Sequence, residues 1–527
     1  MNLLMTHGYM LSGTGSNVYV QNLCRALTRM GHDVHLLCQE PNPLSYDFVN
    51  GHYRASPEGI ALLGEKSSPF PGSCSVYQPE IDGLLPVYVY DDYPGWRVKT
   101  FLDLTEDEFE NYVAKNVAAV RAVLERSGVT GAVTNHSVPG PEIARLALSG
   151  TDVHPGVPYA SIVHGSCLQY VARRSDKYME IARRGLSEAT SIIALSTHSA
   201  GTIAEDFPKL AERTIALPGG VDTDLFRPDA LDEHVTESLV DGPGRGPEQT
   251  RRLSGVLKET NSSDTRNLVK ELRAISEQYE PRRHDTDAGV RIRRLLDGDA
   301  PVIVYLGKLI HSKGVHCLLS AFARVRRTSG ARLLVIGYGT FREGLEALTL
   351  ALSTGNRHVA GLLAEGGSLF EGGPAAAMEH FELTEALVRD AEGMAEDIEF
   401  VGPLYHADLA RILPAVEVAV VPSIFPETFG LVAAEAAASG VPPFVADHSG
   451  LREAGDFVGR GLPFDMRVSL QGDFGENLAR ALADYLALPA EERERCREIV
   501  RRNSVEDLSW GALAGRIAEL AGGNGKG

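Results

Sequence analysis

Short apolar runs recur along this chain, many followed by a turn and then by apolar residues at helical spacing. Residues 2–6 lead into Gly13-Thr14-Gly15-Ser16-Asn17. Val20, Leu23, Leu27 and Met30 then fall on one helical face, and Gly31 fits a C-terminal cap. Further apolar runs stand at 34–38, 87–90, 131–135, 159–163 and 191–195, with a polar-faced helix near 106–126. This alternation predicts an α/β architecture with a mostly parallel sheet.

The pattern breaks near residue 235. Residues 235–299 are rich in Arg, Glu, Asp and Gly and weak in apolar period. Helical pieces fit 253–257 and 268–275, without an independent core. Alternation resumes at Pro301, with a strand at 302–306 and a helix marked by Val315, Leu318, Leu319, Phe322 and Val325. A strand at 333–336 ends in Gly337-Tyr338-Gly339, and residues 353–396 interrupt again with Gly, Ala and Glu. Strands at 398–401, 416–421 and 443–446 and helices at 407–413 and 429–438 follow. Two Rossmann-like halves with insertions explain 527 residues better than three or four domains. The expected layout is a first half at 1–225, a peripheral charged insertion at 235–299 that folding does not need, and a second half at 300–506 with its own insertion at 353–396.

With 51 Lys and Arg against 70 Asp and Glu, the formal net charge is −19. Such a chain does not bind nucleic acid by bulk charge. Any phosphate it holds must meet backbone N–H groups, helix N-termini or a few placed cations. Six Cys form no C-x-x-C pair and no metal spacing, which reads as buried free thiols in a reducing compartment. The opening residues lack the basic start of a signal peptide, and no apolar stretch nears the ~20 residues of a spanning helix. A cytoplasmic protein is expected, with peripheral membrane contact and homo-oligomer formation left open.

The strongest local signal is Pro426-Glu427-Thr428-Phe429-Gly430-Leu431-Val432-Ala433-Ala434-Glu435. Glu427 falls in a turn after an apolar run. Gly430 opens a helix whose free N–H groups point back toward the strand end, where ligands bind in open α/β sheets. A phosphate there meets backbone donors and the helix dipole. Carboxylates eight residues apart on one helix stand ~12 Å apart along its axis. That is too far for the ~5–5.5 Å pair of a retaining hydrolase. Each carboxylate therefore acts alone, most simply as an acceptor for sugar or ribose hydroxyls. An acidic first turn plus one solvent-facing Glu is the competing account.

Gly307-Lys308-Leu309-Ile310-His311-Ser312-Lys313-Gly314 sets two lysines between a strand and a helix, which suits a diphosphate. Read alone, a surface loop with solvated lysines explains it better. Gly13-Thr14-Gly15 has the right context for phosphate, but Val18 stands where G-x-G-x-x-G needs its third Gly. His164, after 159–163, is placed to hydrogen-bond a ligand or to be a satisfied polar residue; His136 reads the same way with less support. The triplets Asp222-Thr223-Asp224, Asp285-Thr286-Asp287 and Asp297-Gly298-Asp299 read as caps and turns, with no metal assigned. Arg173-Arg174, Arg183-Arg184 and 291–294 read as solvated helix faces, with anionic lipid or acceptor as the alternative.

In order along the chain, these pieces resemble the group-one family of retaining glycosyltransferases with the GT-B fold. The family's E-x7-E signature matches Glu427 and Glu435. Its basic residue and Lys-Gly step match Gly307-Lys308 and Lys313-Gly314, with Lys308 where the family usually has Arg. Its paired-Gly loop matches Thr14-Gly15, with Thr14 in place of the first Gly, and its His step matches His164. Residues 218–228 resemble the segment near the family's interdomain crossover. The ending from Leu508-Ser509-Trp510 resembles a tail that crosses back, so a helix at 507–522 is expected to join the first half. The insertions and residues 40–100 lie outside the resemblance.

The resemblance implies two Rossmann-like domains facing across a cleft. It implies transfer of a sugar, expected to be a hexose, from a nucleotide-sugar donor held mainly by the C-terminal half. The acceptor, whether small molecule, glycan or lipid-linked, lies mainly on the N-terminal half. Retention is implied, with no metal or other cofactor. On this resemblance Lys308 and Lys313 neutralise the leaving diphosphate, Glu435 accepts from ribose hydroxyls, Glu427 holds the donor sugar and His164 bonds the transferring sugar. Gly15, Gly307, Phe429, Gly430 and Leu431 flank phosphate and sugar, while Gly337, Gly339 and Leu404 line the base pocket. A same-fold nucleotide-sugar epimerase and a non-catalytic carbohydrate-binding relative are the alternatives. A nicotinamide oxidoreductase is disfavoured, because the full dinucleotide fingerprint is missing.

Overall fold

The computed structural model describes residues 1–13, 15–89, 93, 95–148, 156–230, 235–239, 244–260 and 264–523. Thr14, named above, and residue 90, the last of the expected strand at 87–90, lie outside them. The chain divides into two compact units, Met1–Gly220 with Leu508–Gly527, and Val221–Asp507.

The first unit contains β1 (Asn2–Thr6), β2 (Asp33–Leu37), β3 (Gly51–Ser56), β4 (Gly59–Glu65), β5 (Cys74–Pro79), β6 (Leu84–Val87), β7 (Arg97–Thr100), β8 (Gly131–Asn135), β9 (Tyr159–Val163), β10 (Ser191–Ala194) and β11 (Thr214–Ala216). Nine of these form one sheet in the order β11-β10-β9-β8-β1-β2-β5-β3-β4, and β6 pairs separately with β7. All pairs in the large sheet are parallel except β3 with β4. β8 and β9 are buried at every residue, which is why such runs are apolar without alternation. The expected strand at 87–90 is displaced: β6 ends at Val87 and stands outside the large sheet. Residues 40–100 widen that sheet by β3, β4 and β5.

Helix Trp510–Ala521 belongs to the first unit and buries Trp510, Leu513, Ile517 and Leu520. Trp510 meets Tyr19 edge to face at 4.8 Å. A Cβ on Gly131 would stand 2.6 Å from the Ala521 carbonyl oxygen, so only glycine lets the helix end this close to β8.

The second unit contains β12 (Val302–Leu306), β13 (Arg332–Ile336), β14 (Ile398–Phe400), β15 (Val418–Val421), β16 (Pro443–Ala446) and β17 (Arg467–Val468). They form a parallel sheet in the order β14-β13-β12-β15-β16-β17. β15 begins two residues later than expected, and the following helix is Leu431–Ala438, so Phe429 and Gly430 precede it.

The charged segment corrects the sequence-based expectation, because it is not peripheral. Helices Pro247–Glu259, Thr265–Ser276 and Ala288–Leu296 bury Leu253, Leu257, Leu268, Leu272, Ile275 and Ile292. Asp285 and Arg342 are 1% exposed each. Arg342 donates a two-pronged pair of hydrogen bonds to Asp285, Nη1 to Oδ1 at 2.8 Å and Nη2 to Oδ2 at 2.7 Å. Arg291 also pairs with Asp285 and donates to the Phe400 carbonyl at 2.7 Å. The second interruption is likewise structured, with Arg357–Glu365 helical and Val359, Leu363 and Phe370 buried. All six cysteines are buried and free. Among the described residues, no helix is long and apolar enough to cross a membrane.

Candidate functional site

In the second unit the strand order reverses between β12 and β15; in the first it reverses between β1 and β8, with a further break where β5 stands between β2 and β3. The carboxyl ends of strands at such a reversal form the crevice where open α/β sheets bind ligands.

In the second unit the loops after β12 and β15 are locked together. Gly314 has φ 67°, and a Cβ there would stand 2.0 Å from the Pro422 carbonyl oxygen. The Ile424 N–H donates to the Ser312 carbonyl at 2.9 Å. This brings Lys313 and Glu427 together: the ammonium is ion-paired and hydrogen-bonded to Glu427 Oε1. Ser423 Oγ donates to the same oxygen at 2.7 Å. The Glu427 N–H donates to Ser449 Oγ at 2.9 Å, and that hydroxyl lies 3.0 Å from His448 Nδ1. His448 Nε2 donates to the Ser423 carbonyl at 2.6 Å, closing the ring of contacts. Lys313 and Glu427 keep 30% and 24% of their side chains exposed, so the pair is reachable from solvent.

Lys308 is exposed on the same loop, and its main-chain carbonyl accepts from the Tyr305 hydroxyl at 2.8 Å. Glu435 sits within helix Leu431–Ala438 and is half-buried, with Oε1 3.3 Å from His406 Nε2. The hydrogen bond to Glu435 raises the His406 imidazole above its ordinary pKa. Leu404 and Leu431 are half-buried, and Phe429 is buried. Gly430 caps the helix, with no side-chain cap of its own. Gly337 packs against its neighbouring loop: a Cβ there would lie 1.8 Å from the Gly307 carbonyl oxygen. Gly339 is similarly close to the Leu309 carbonyl. Close loop packing therefore explains both glycines without a ligand.

In the first unit, three histidines gather where β1, β8 and β9 end. His164 Nε2 lies 3.1 Å from Asn135 Oδ1, and Asn135 Nδ2 donates to the Thr6 carbonyl at 3.1 Å. His7 Nε2 lies 3.0 Å from Asn17 Oδ1. His136 stands between them, with ring centroids 5.9 Å from His7 and 4.7 Å from His164. Neither His136 ring nitrogen has a hydrogen-bond partner among the described residues. Burial lowers all three pKa values, to about 4 for His7 and about 3 for His164. Gly15 is the exposed first residue of helix Gly15–Arg29, with open space where a Cβ would stand.

These neutral histidines give an acid-sensitivity prediction. Each binds a proton in the unfolded chain near pH 6.5 but resists protonation when folded. Their contribution is therefore intact above about pH 6.5 and is lost as pH falls toward the depressed folded values. At pH 5 the cost is about 2 kcal/mol per histidine. Both tryptophans, Trp96 and Trp510, lie in the first unit, so urea unfolding followed by their fluorescence reports on it alone. His136→Asn tolerates the positive φ of 71° and removes one titrating ring. It should flatten the loss of stability between pH 7 and pH 5; an unchanged slope would exclude His136 as a contributor.

The sequence-predicted residues thus fall into two groups. Lys308, Lys313, Glu427, Glu435, Gly307, Gly337, Gly339, Leu404, Phe429, Gly430 and Leu431 belong to the second unit, and His164 and Gly15 to the first. Ser423, His448, Ser449 and His406 escaped sequence reasoning, although Ser423 precedes Glu427 by one turn's length. His7 was also missed, since only the pairing of β1 with β8 brings it near His136. The D-x-D triplets include a turn, with Asp224 and Leu225 N–H groups donating to Asp222 Oδ1 at 3.1 Å. Arg173 pairs with Asp206 at 2.8 Å near the surface, whereas Arg184 pairs at 3.1 Å with the buried Glu142 and Arg291 with the buried Asp285, so these two arginines do not stand on wholly solvated helix faces.

Two parallel-sheet units with their candidate residues at the strand-order reversals define the GT-B class, and the solved structures agree. The catalytic domain of starch synthase IV from Arabidopsis thaliana, bound to ADP and acarbose, has a TM-score of 0.57 at 15% identity. That match covers 99% of this chain and 98% of that one. Residues 14–220 match the family described as glycosyl transferase 4-like domain, and residues 290–361 and 382–503 match glycosyl transferases group 1. The chain belongs to the group 1 glycosyltransferases. The glycogen synthase of Mycobacterium tuberculosis is 29% identical over 229 residues, 43% of this chain. The chain spans only 44% of that relative's length. The MMP alpha-(1->4)-mannosyltransferase of Mycolicibacterium hassiacum is 22% identical over 520 residues, covering 96% of this chain and 94% of that protein.

Proposed function

We propose that this chain transfers a glycosyl group from a nucleotide-sugar donor, bound by the second unit, to a hydroxyl acceptor, with the anomeric configuration retained. The observation that carries this reading is the Lys313–Glu427–Ser423 cluster at the ends of β12 and β15. The cluster stands beside the loop that leads to the free N-terminus of helix Leu431–Ala438. A cation and helix N–H groups there suit a diphosphate whose negative charge grows as it leaves. The ADP bound to the starch synthase relative is the same chemical group.

In this scheme the acceptor oxygen attacks the anomeric carbon on the face that the diphosphate leaves. The new carbon–oxygen bond forms as the bond to phosphate breaks. The acceptor's proton passes to the departing phosphate oxygen. Lys313 and Lys308 neutralise the leaving group, and Glu427 fixes the Lys313 ammonium while orienting the sugar. Glu435 accepts from ribose, with His406 holding one of its oxygens. His164 is neutral near pH 7, so it orients the sugar by hydrogen bonding rather than by charge. No covalent sugar adduct and no metal enter the scheme.

Product analysis with labelled nucleotide sugars tests the reaction class. Transfer is expected, whereas epimerisation or binding without turnover would overturn it. NMR of the product should show the donor's anomeric configuration, and an inverted product rules out retention. Glu427→Gln keeps the reach to Ser423 but loses the ion pair. Donor binding should stay within about tenfold, while kcat falls by about 10- to 100-fold. Weaker donor binding with an unchanged kcat would make Glu427 a simple binding residue.

A further inference from the structure

The group 1 family match stops at residue 361 and resumes at 382. The residues between therefore add something to the family pattern, and they pack directly behind the lysine loop. The short 3-10 turn His311–Lys313 starts without a side-chain cap of its own. Its first N–H, on His311, instead donates to the Glu371 carboxylate at 2.5 Å. His311 Nε2 accepts from the Glu379 N–H at 3.4 Å. The His311 ring stacks on His316 with centroids 4.9 Å apart and planes 10° apart. His316 Nε2 in turn donates to the Glu379 carbonyl at 2.8 Å. Gly367 leaves room for this stack, since a Cβ there would stand 3.2 Å from His311 Cδ2. Met378 is buried and its N–H donates to the Ala364 carbonyl at 2.7 Å, folding the segment back on itself.

We propose that residues 362–381 brace the lysine loop, with Glu371 as a positioning residue that acts through His311 on Lys308 and Lys313. The physical reason is an N-terminal donor that needs an acceptor. An uncapped turn leaves main-chain N–H groups seeking partners, and a carboxylate is a strong one. Ile424 holds the loop from the β15 side through Ser312, and Glu371 and the Glu379 peptide hold it from the other. Clamped between them, Lys313 has little freedom to leave the geometry in which it meets Glu427. The proposal rests on the assignment of this loop to the donor diphosphate.

The test uses the full chain with Glu371→Ala and Glu371→Gln, read by amide hydrogen exchange at residues 308–314 and by calorimetric titration with ADP, UDP and GDP. Glu371 is exposed, so neither variant should lower the melting temperature. Glu371→Ala should speed loop exchange about tenfold and weaken the preferred nucleotide about tenfold. Glu371→Gln keeps an oxygen acceptor and should restore most of both. Unchanged loop exchange in Glu371→Ala overturns the brace, whatever the nucleotide result. A looser loop with unchanged affinity, where Lys313→Ala does weaken binding, also overturns it and leaves the donor assignment standing. Unchanged affinity in both Glu371→Ala and Lys313→Ala overturns both.

Discussion

Replacing Lys313 with alanine should lower kcat/KM by about 30- to 1000-fold, a loss of ~2–4 kcal/mol of transition-state stabilisation. Two losses combine. The diphosphate leaves without its placed cation, and Glu427 loses its ion-pair partner. Ser423 still donates to Glu427 Oε1, so the carboxylate is not left without a hydrogen bond. Stability should change by no more than about 1 kcal/mol, because the pair is partly exposed and surface ion pairs contribute little. The variant therefore separates chemistry from folding. Lys308→Ala should act in the same direction but less, since its side chain is exposed and anchors no neighbouring loop. Steady-state kinetics on both variants, with circular dichroism as the folding control, decide the matter. A folded Lys313→Ala enzyme at full rate would remove this lysine from the site.

Asp285→Ala should destabilise the second unit by about 3–5 kcal/mol. The substitution strips the acceptor from Arg342, whose side chain is only 1% exposed. A guanidinium cannot escape the loss by deprotonating, so a buried cation is left underpaired. Glu346 still accepts from Arg342 Nε at 2.9 Å, and the Phe400 carbonyl accepts from Nη2 at 3.2 Å. These contacts keep the loss from exceeding the upper figure. Urea unfolding followed by circular dichroism should show the second unit melting early. Tryptophan fluorescence, confined to the first unit, should keep its midpoint. A shift below about 1 kcal/mol would mean that Arg342 finds other partners.

The same ion pair explains what sequence reasoning could not see. Asp285 lies in the charged segment and Arg342 opens a helix 57 positions later. Nothing local marks either as a core residue. The segment's helices each bury a narrow stripe, such as Leu268, Leu272 and Ile275; their helix packs on Pro247–Glu259 of the same segment and also on Arg342–Ser353 and Arg357–Glu365, far along the chain. Apolar periodicity shows that a helix exists but not where it docks. The strands were legible because a parallel sheet buried on both faces demands unbroken apolar runs, as in β9 and β12. Lys313 and Glu427 were legible because chemistry-bearing residues sat in turns after such runs. Ser423, His448 and Ser449 were not, because their importance arises only from the ring of hydrogen bonds that the β15 and β16 loops close. His7, His136 and His164 are each alone in sequence, and only the neighbouring order of β1, β8 and β9 assembles them.

Helix Trp510–Ala521 completes the first unit, yet the ribosome makes it after the whole of the second. At ~5–20 residues per second, the intervening stretch of about 290 residues takes roughly 15–60 s to synthesise. Through that interval Tyr19 lacks Trp510, and the face of β8 opened by Gly131 lacks its cover. The second unit is one continuous stretch and can close as soon as it emerges. The nascent chain therefore carries an unfinished first unit for as long as the second is being made, and helix Trp510–Ala521 decides when that first unit becomes native.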